Sequence, residues 1–122
     1  MEKTFLIFAT VFGGLSVALG AFGAHSLRDL VTEARLGNFE TAARYQMYHA
    51  LALFAVVGLM RWTPSPLLGW AGWLLIAGVL LFSGSLYLLV FTDKTWLGAV
   101  APIGGAAMIG GWVLMLIAVV RA

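Results

Sequence analysis

The chain has 122 residues, of which 62% are hydrophobic and only 10% are charged, and its mean hydropathy is +1.01. A soluble domain carries roughly 25% charged residues, so this composition excludes a soluble globular protein and predicts one membrane domain over residues 1–122. The net charge of +2 is too small for a nucleic-acid surface, and the absence of cysteine excludes disulfides and thiolate chemistry.

Charged residues fall in clusters, and each long apolar interval between two clusters predicts one membrane helix. A hydrocarbon core about 30 Å thick takes around 20 helical residues, and open strands cannot leave their backbone groups facing lipid. The predicted spans are 5–24, 41–60, 67–91 and 99–120. The expected fold class is therefore all-α, a four-transmembrane-helix up-down bundle with both termini on one side of the membrane.

The first span has an alternative reading as a cleaved secretory signal. Lys3 precedes the apolar run, and small residues end it at 21–24. Because the run is long enough to cross the bilayer, a retained helix is the prediction.

The connector between the first two spans carries helix signals of its own. Ser26 and Asp29 fit a capping box, apolar residues recur at helical spacing over 27–34, and Gly37 is a natural stop. We therefore predict a short interfacial helix between helices 1 and 2. A plain exposed loop is the alternative.

The start of the second span holds the only concentrated group of polar side chains. Glu40 and Arg44 are four residues apart with the acid first, which is the favourable order for a helical ion pair. His25 ends the first span on the same side, so the two helix ends are expected to bring it near Arg44, Tyr45 or His49 at one membrane interface. The predicted polar cluster comprises His25, Glu40, Arg44, Tyr45, Gln46, Tyr48 and His49.

Four roles for this polar cluster remain open from the sequence. It can be a metal pair, two axial haem ligands, a hydrogen-bonding site for a quinone or lipid headgroup, or a structural network that fixes helix 2 against helix 1. Metal sites usually use three or four protein ligands, and two histidines without cysteine fall short. We therefore assign no metal, no cofactor and no catalytic residue.

Small residues at four-residue spacing indicate where helices approach one another closely. Such spacing occurs in the first span and again in the last, and it predicts helix packing at Gly13, Gly20, Gly110 and Gly111. The polar group 83–85 in the third span is expected to be a packing notch, because serine hydroxyls bond back to helix carbonyls.

Two segments, 20–25 (GAFGAH) and 45–53 (YQMYHALAL), resemble the domain-of-unknown-function 423 family. This family comprises small bacterial membrane proteins and has transmembrane protein 256 as an animal relative. The resemblance covers essentially the whole chain and implies a multi-pass protein of the bacterial cytoplasmic (inner) membrane. It implies no activity, and the residues that match its motif carry no assigned role.

The function expected from these features is non-enzymatic. A chain with four short spans and little mass outside the membrane suits a subunit, assembly factor or stabilising factor of a larger membrane complex. The alternatives are a protein that binds a quinone, lipid or haem through the polar cluster, and a small oligomeric transporter. The expected partners are the lipid bilayer and either a larger membrane-protein complex or further copies of the chain, with no nucleic acid.

Overall fold

The computed structural model describes every residue from Met1 to Ala122, and most of them lie in four long helices. Three of these helices, the first, third and fourth, are long and apolar enough to cross a membrane. The second has a polar N-terminal half and does not reach the same apolarity. The helices are α1 (Glu2–His25), α2 (Glu33–Trp62), α3 (Pro66–Thr92) and α4 (Leu97–Val120).

Helix α2 begins eight residues before the predicted start of the second span. Thr32 caps it, with its Oγ1 accepting from the Arg35 N–H at 3.3 Å, while the Ser26 side chain caps nothing. The connector holds only a three-residue 3₁₀ turn, Leu27–Asp29. The predictions of a capping box at Ser26 and of a stop at Gly37 are therefore wrong, and of the predicted short helix between helices 1 and 2 only this turn forms.

Packing explains why α2 continues through Gly37. A glycine inside a helix costs about 1 kcal/mol relative to alanine. On either side of Gly37, Leu36 and the fully buried Phe39 pack into an apolar cluster with Leu27 and Val90. Burial of large apolar side chains contributes roughly 1.5–3 kcal/mol each, so this cluster offsets the cost of the glycine.

Successive helices run antiparallel, and two ion pairs mark the two ends of the bundle. Arg61 at the end of α2 contacts Glu2 at the start of α1, at 3.2 Å. At the opposite end Arg35 pairs with Asp93, which caps α3 in a left-handed conformation. The two arginines are 26 residues apart (61 − 35), about 39 Å along a helix, and Tyr48 lies midway between them.

The closest helix contact joins α3 to α4 and depends on glycine. A Cβ at Gly104 would lie 2.3 Å from the backbone nitrogen of Phe82, and one at Gly78 would lie 2.4 Å from Cγ of Met108. A Cβ at Gly111 would lie 2.7 Å from Cδ2 of Leu75. The prediction of close packing is confirmed for Gly111, whereas Gly78 and Gly104 were not among the predicted packing glycines.

The other three predicted packing glycines make no close approach. An added Cβ would stand 3.8 Å from the Ala50 side chain at Gly13 and 3.5 Å from the Leu74 side chain at Gly110, both ordinary contacts. Gly20 has nothing within 4 Å, so its predicted packing against another helix of this chain is wrong. The reason is how α1 is oriented about its own axis. Phe5, Ala9 and Phe12 face the interior of the bundle, and Gly20 lies at the edge of a surface groove.

Candidate functional site

The polar residues predicted to form one cluster are distributed over three faces of α2. Because α2 begins at Glu33 rather than at position 41, these residues occupy the middle of the helix instead of its start. Tyr48 stands at the midpoint between the two terminal ion pairs. The polar group of α2 thus lies near mid-height in the bundle, not at the end of the bundle where the sequence predicted it.

Gln46 points into the bundle and connects three helices. Its Nε2 donates to the Phe12 carbonyl of α1 at 2.9 Å, and its Oε1 accepts from the Tyr87 hydroxyl of α3 at 2.7 Å. The side chain is only 4% exposed. Beside it, the Ser83 hydroxyl donates to the Ala42 carbonyl at 2.7 Å, so Ser83 bonds across to α2 rather than to its own helix. This part of the predicted cluster is a structural network.

His49 faces α4 and is buried, and both of its ring nitrogens are hydrogen-bonded. Nδ1 lies 2.7 Å from the Tyr45 carbonyl oxygen, which can only accept, so Nδ1 carries the proton. Nε2 accepts from the Trp112 indole N–H at 3.1 Å. The two bonds fix a neutral imidazole in one tautomer. They also leave neither nitrogen free to bind a metal ion or a haem iron.

A groove of about 580 Å³ opens beside this histidine, between α2, α3 and α4. Aromatic rings form much of its wall: Tyr45 stacks on the His49 ring at 6.2 Å between centroids and meets Phe82 at 5.0 Å. Tyr45 and Tyr48 are 39% and 52% exposed, and neither hydroxyl is hydrogen-bonded within the chain. The remaining lining residues are Thr41, Gly105, Met108, Ile109 and Trp112.

Glu40 and Arg44 lie on a third face of α2, next to α1. They border a shallower groove of about 380 Å³ with Ser16, Val17 and Gly20. The predicted ion pair between them is not formed, because the Arg44 guanidinium instead donates to the Thr41 hydroxyl at 3.3 Å. Both charged side chains are exposed.

His25 stands apart from the rest of the predicted cluster. It is the exposed last residue of α1, whereas Ala50, the neighbour of His49, lies against Gly13 of α1. Twelve residues (25 − 13) separate these levels, about 18 Å along the helix. His25 is therefore too far from His49 for the two histidines to form a metal pair or an axial pair for haem. Against the prediction, it is not a hydrogen-bond partner of Arg44 or Tyr45, which bond to Thr41 and His49 instead.

Three residues that complete the polar interactions were not predicted as site residues. Trp112 and Tyr87 supply the donors to His49 and Gln46, and Ser83 bonds to the α2 backbone. The one sequence signal was position: Trp112 lies in the middle of the predicted last span, whereas membrane tryptophans prefer span ends. An indole N–H at mid-span needs a partner, and in this chain the partner is His49.

Comparison with known proteins places the chain in a family. The family model described as "Protein of unknown function (DUF423)" matches residues 19–105. A UPF0382 membrane protein of Staphylococcus aureus is 45% identical over 116 residues, covering 95% of this chain and 94% of the relative. UPF0382 membrane protein YwdK of Bacillus subtilis is 42% identical over 120 residues, covering 98% of each chain.

A UPF0382 membrane protein of Staphylococcus epidermidis is 44% identical over 119 residues, with 98% of this chain and 97% of the relative covered. No solved structure matches the chain. The family match over most of the chain and near-full-length identities above 40% agree with the apolar helices and with the resemblance found in segments 20–25 and 45–53. The chain therefore belongs to the DUF423 family, whose curated relatives are UPF0382 membrane proteins.

Proposed function

We propose that this protein is a non-enzymatic, four-span subunit of the bacterial cytoplasmic membrane that self-associates through the face formed by α1 and α2. In this role it builds or stabilises a larger membrane complex. The observation that carries the proposal is that Glu40 and Arg44 are exposed on α2 between its two ends and are not paired with each other.

Helix α2 is included among the spans because of its length and its neighbours. Its 30 residues extend about 45 Å, more than the roughly 30 Å of a hydrocarbon core. It lies between the apolar helices α1 and α3, and ion pairs at both of its ends hold it alongside them. If α1 and α3 cross the bilayer, α2 crosses with them.

This topology predicts which positions share a side of the membrane. The chain has no native cysteine, so single cysteines report their location without background. We expect Pro64→Cys and Ala122→Cys to react with a membrane-impermeant maleimide from one side of sealed vesicles, and Asp29→Cys and Lys94→Cys from the other. Reaction of positions 64 and 94 from the same side would rule out four spans.

In a single copy of the chain, the charges of Glu40 and Arg44 would face lipid inside the hydrocarbon core, which costs free energy. A core centred on Tyr48 places Arg44 about 6 Å and Glu40 about 12 Å from the bilayer centre. Ionisable groups at such depth normally face a protein interior or pair with one another. Because this face carries one acid and one base, a second copy related by a two-fold axis supplies the opposite charge for each.

The α1 side of the same face is shaped for close helix approach. Neither Gly14 nor Gly20 has an atom of the chain within 4 Å of an added Cβ, and Ala21 and Ala24 are exposed. Small residues on a lipid-facing helix allow backbones to meet, which drives association where lipid supplies no hydrophobic force between helices. The face therefore offers both close packing and matching charge.

The non-enzymatic part of the proposal rests on how the reactive side chains are arranged. Both ring nitrogens of His49 are occupied by Tyr45 and Trp112, and the acid and base on α2 lie on a different face. No three His, Cys, Asp or Glu side chains come together as a metal-binding group. Catalysis by proton transfer needs an acid or base within reach of a shared reacting atom, and these groups point apart.

Self-association is tested by cysteine cross-linking in membranes. We expect Val17→Cys, on the α1–α2 face, to form a disulfide-linked dimer under mild oxidation. The matched control Leu116→Cys, on α4 and 62% exposed, is expected to stay monomeric. Equal cross-linking at both positions would indicate random collision and contradict the proposed interface.

Charge exchange tests the role of Glu40 and Arg44 directly. Arg44→Glu places two acids on each face and is expected to weaken dimerisation at least tenfold, which corresponds to about 1.4 kcal/mol. Adding Glu40→Arg in the same chain restores opposite charges and is expected to recover most of the loss. If neither variant changes the dimer fraction in nanodiscs, the side chains of Glu40 and Arg44 reach the lipid headgroups rather than a second copy of the chain, and the proposal fails.

A further inference from the structure

The groove between α2, α3 and α4 has the features of a binding site for a small lipid-soluble molecule, and it lies on a different face from Glu40 and Arg44. We propose that this groove binds the head group of a quinone whose hydrocarbon tail extends into the bilayer. The juxtaposition that carries the inference is two phenol hydroxyls, Tyr45 and Tyr48, beside an aromatic wall at mid-bilayer depth. The inference goes beyond the proposed function: it rests on the four-span placement of α2 proposed above, but not on self-association.

The two hydroxyls are hydrogen-bond donors that have no acceptor within the chain. Tyr48 stands at the midpoint of α2 between the terminal ion pairs, and Tyr45 lies about 4–5 Å from it along the helix axis. Water is absent at that depth, and an unpaired polar group in hydrocarbon costs several kcal/mol. A bound molecule with carbonyl oxygens supplies the acceptors that lipid tails cannot.

The walls of the groove fit a flat ring. Tyr45, Phe82 and Trp112 expose ring faces or edges to it, and aromatic rings favour offset stacking or edge contacts with a planar conjugated partner. Its volume of about 580 Å³ lies within the usual range for small-molecule sites. The groove opens to the surroundings of the bundle, which leaves a path for an apolar tail.

The position of His49 gives the groove a fixed polar wall. Its ring is held by the Tyr45 carbonyl on one nitrogen and by the Trp112 indole on the other. The same backbone hydrogen bond joins His49 to the residue that carries one of the free hydroxyls. The Tyr45 ring stacks on this held imidazole and meets the Tyr48 ring at 5.6 Å between centroids, so the two rings that carry the hydroxyls pack on a fixed wall, which favours a preorganised site.

The chemistry of the lining distinguishes a quinone from the other ligand classes. No charged side chain is among the residues that line the groove. Arg44 reaches its edge, but its guanidinium donates to the lining Thr41 hydroxyl at 3.3 Å and borders the neighbouring groove, so the lining itself offers a phosphate only neutral groups. The histidine nitrogens are both occupied, so a haem iron finds no free ligand. The acyl ester of an ordinary lipid also offers a carbonyl acceptor, but it has no ring. Comparing a quinone with an ester that lacks a ring therefore distinguishes the two ligands.

The test measures binding of decylubiquinone to the purified protein in nanodiscs of phosphatidylcholine, followed by quenching of tryptophan fluorescence. We expect saturable binding with one molecule per chain. Tyr45→Phe and Tyr48→Phe are each expected to weaken it about fivefold, the factor for one ordinary hydrogen bond. Neither variant is expected to change the melting temperature by more than about 2 °C, because neither hydroxyl bonds within the chain.

A third variant fills the groove, and a matched control leaves it open. Gly105→Leu is expected to abolish binding, because the nearest atom to an added Cβ is 3.9 Å away and the longer side chain extends into the free volume. Thr10→Val removes an exposed hydroxyl from α1, outside the groove, and is expected to bind normally. Full binding by Gly105→Leu would place the quinone elsewhere and overturn the assignment.

Two further outcomes would also contradict the inference. The first is non-saturable quenching that the Tyr45→Phe/Tyr48→Phe double variant leaves unchanged, because this is the behaviour of quinone dissolved in the lipid. The second is equally tight binding of a decyl ester without a ring, measured in detergent micelles free of ester lipid, which would assign the groove to ordinary lipid. Loss of dimerisation in the charge variants has no bearing on either result, so the two proposals fail separately.

Discussion

Gly104→Ala is expected to lower the free energy of unfolding by at least about 2 kcal/mol, the middle of the range for overpacked cores. The new methyl group would lie 2.3 Å from the backbone nitrogen of Phe82 and 2.8 Å from the carbonyl oxygen of Gly78. Backbone atoms of a packed helix cannot turn aside as a side chain can, so α3 and α4 must separate. Reversible unfolding in mixed detergent micelles, followed by circular dichroism, measures the loss.

Gly84→Ala is the matched control for this substitution. Gly84 lies in the middle of α3, on the neighbouring helix of the same pair, and has no atom within 4 Å of an added Cβ. Alanine is preferred over glycine inside a helix by about 1 kcal/mol, so this variant should be at least as stable as the parent. Equal stability of Gly104→Ala and the parent would show that α3 and α4 are farther apart than the structure places them.

The helical fold can be predicted from the sequence because it results from the composition of long apolar segments. The intervals 4–27, 45–60, 62–92 and 95–120 carry no Asp, Glu, Lys or Arg, and in lipid a helix is the backbone arrangement by which such a segment satisfies its own hydrogen bonds. Three of the four predicted spans match helices apolar enough to cross a membrane, with ends within about three residues. The family membership was also read correctly from two short segments.

The start of α2 was misplaced because local signals and tertiary packing disagree. Gly37 is a helix stop by propensity, but Phe39 and Leu36 on either side of it are held by apolar contacts from the connector and α3. Those contacts join residues far apart in sequence, and a local pattern cannot show them. Because of this eight-residue error, the residues from Glu40 to His49 were predicted at one end of the bundle, whereas they lie nearer its mid-height.

The sequence indicates which faces of α2 are polar, but not which residues of the other helices bond to them. The spacing of Glu40, Arg44 and Gln46 on a helix is fixed by its period, so their distribution around α2 follows from the sequence. The helix that covers each face of α2 is determined by how α3 packs against α4 through Gly78 and Gly104. Only the structure shows this packing. For this reason Trp112 and Tyr87 entered the site only with the structure.

Gln46→Leu is expected to lower the free energy of unfolding by about 2 kcal/mol. Leucine has a similar volume but leaves the Tyr87 hydroxyl without its acceptor. It also removes one of the two side-chain donors to the Phe12 carbonyl, the other being the Ser16 hydroxyl. Removing one partner from a buried hydrogen bond usually costs about 1–3 kcal/mol. The same unfolding measurement in micelles applies, with Thr92→Val, which removes an exposed hydroxyl bonded to its own helix, as the control.

A double-mutant cycle with Tyr87 separates the hydrogen bond from loss of packing. Tyr87→Phe removes the orphaned donor, so Gln46→Leu should cost less in the Tyr87→Phe background than in the parent chain. The expected coupling is about 1 kcal/mol, since residues that share a hydrogen bond are not additive. Strict additivity of the two substitutions would mean that Gln46 stabilises the bundle through its apolar contacts alone, and that the bond between α2 and α3 contributes nothing.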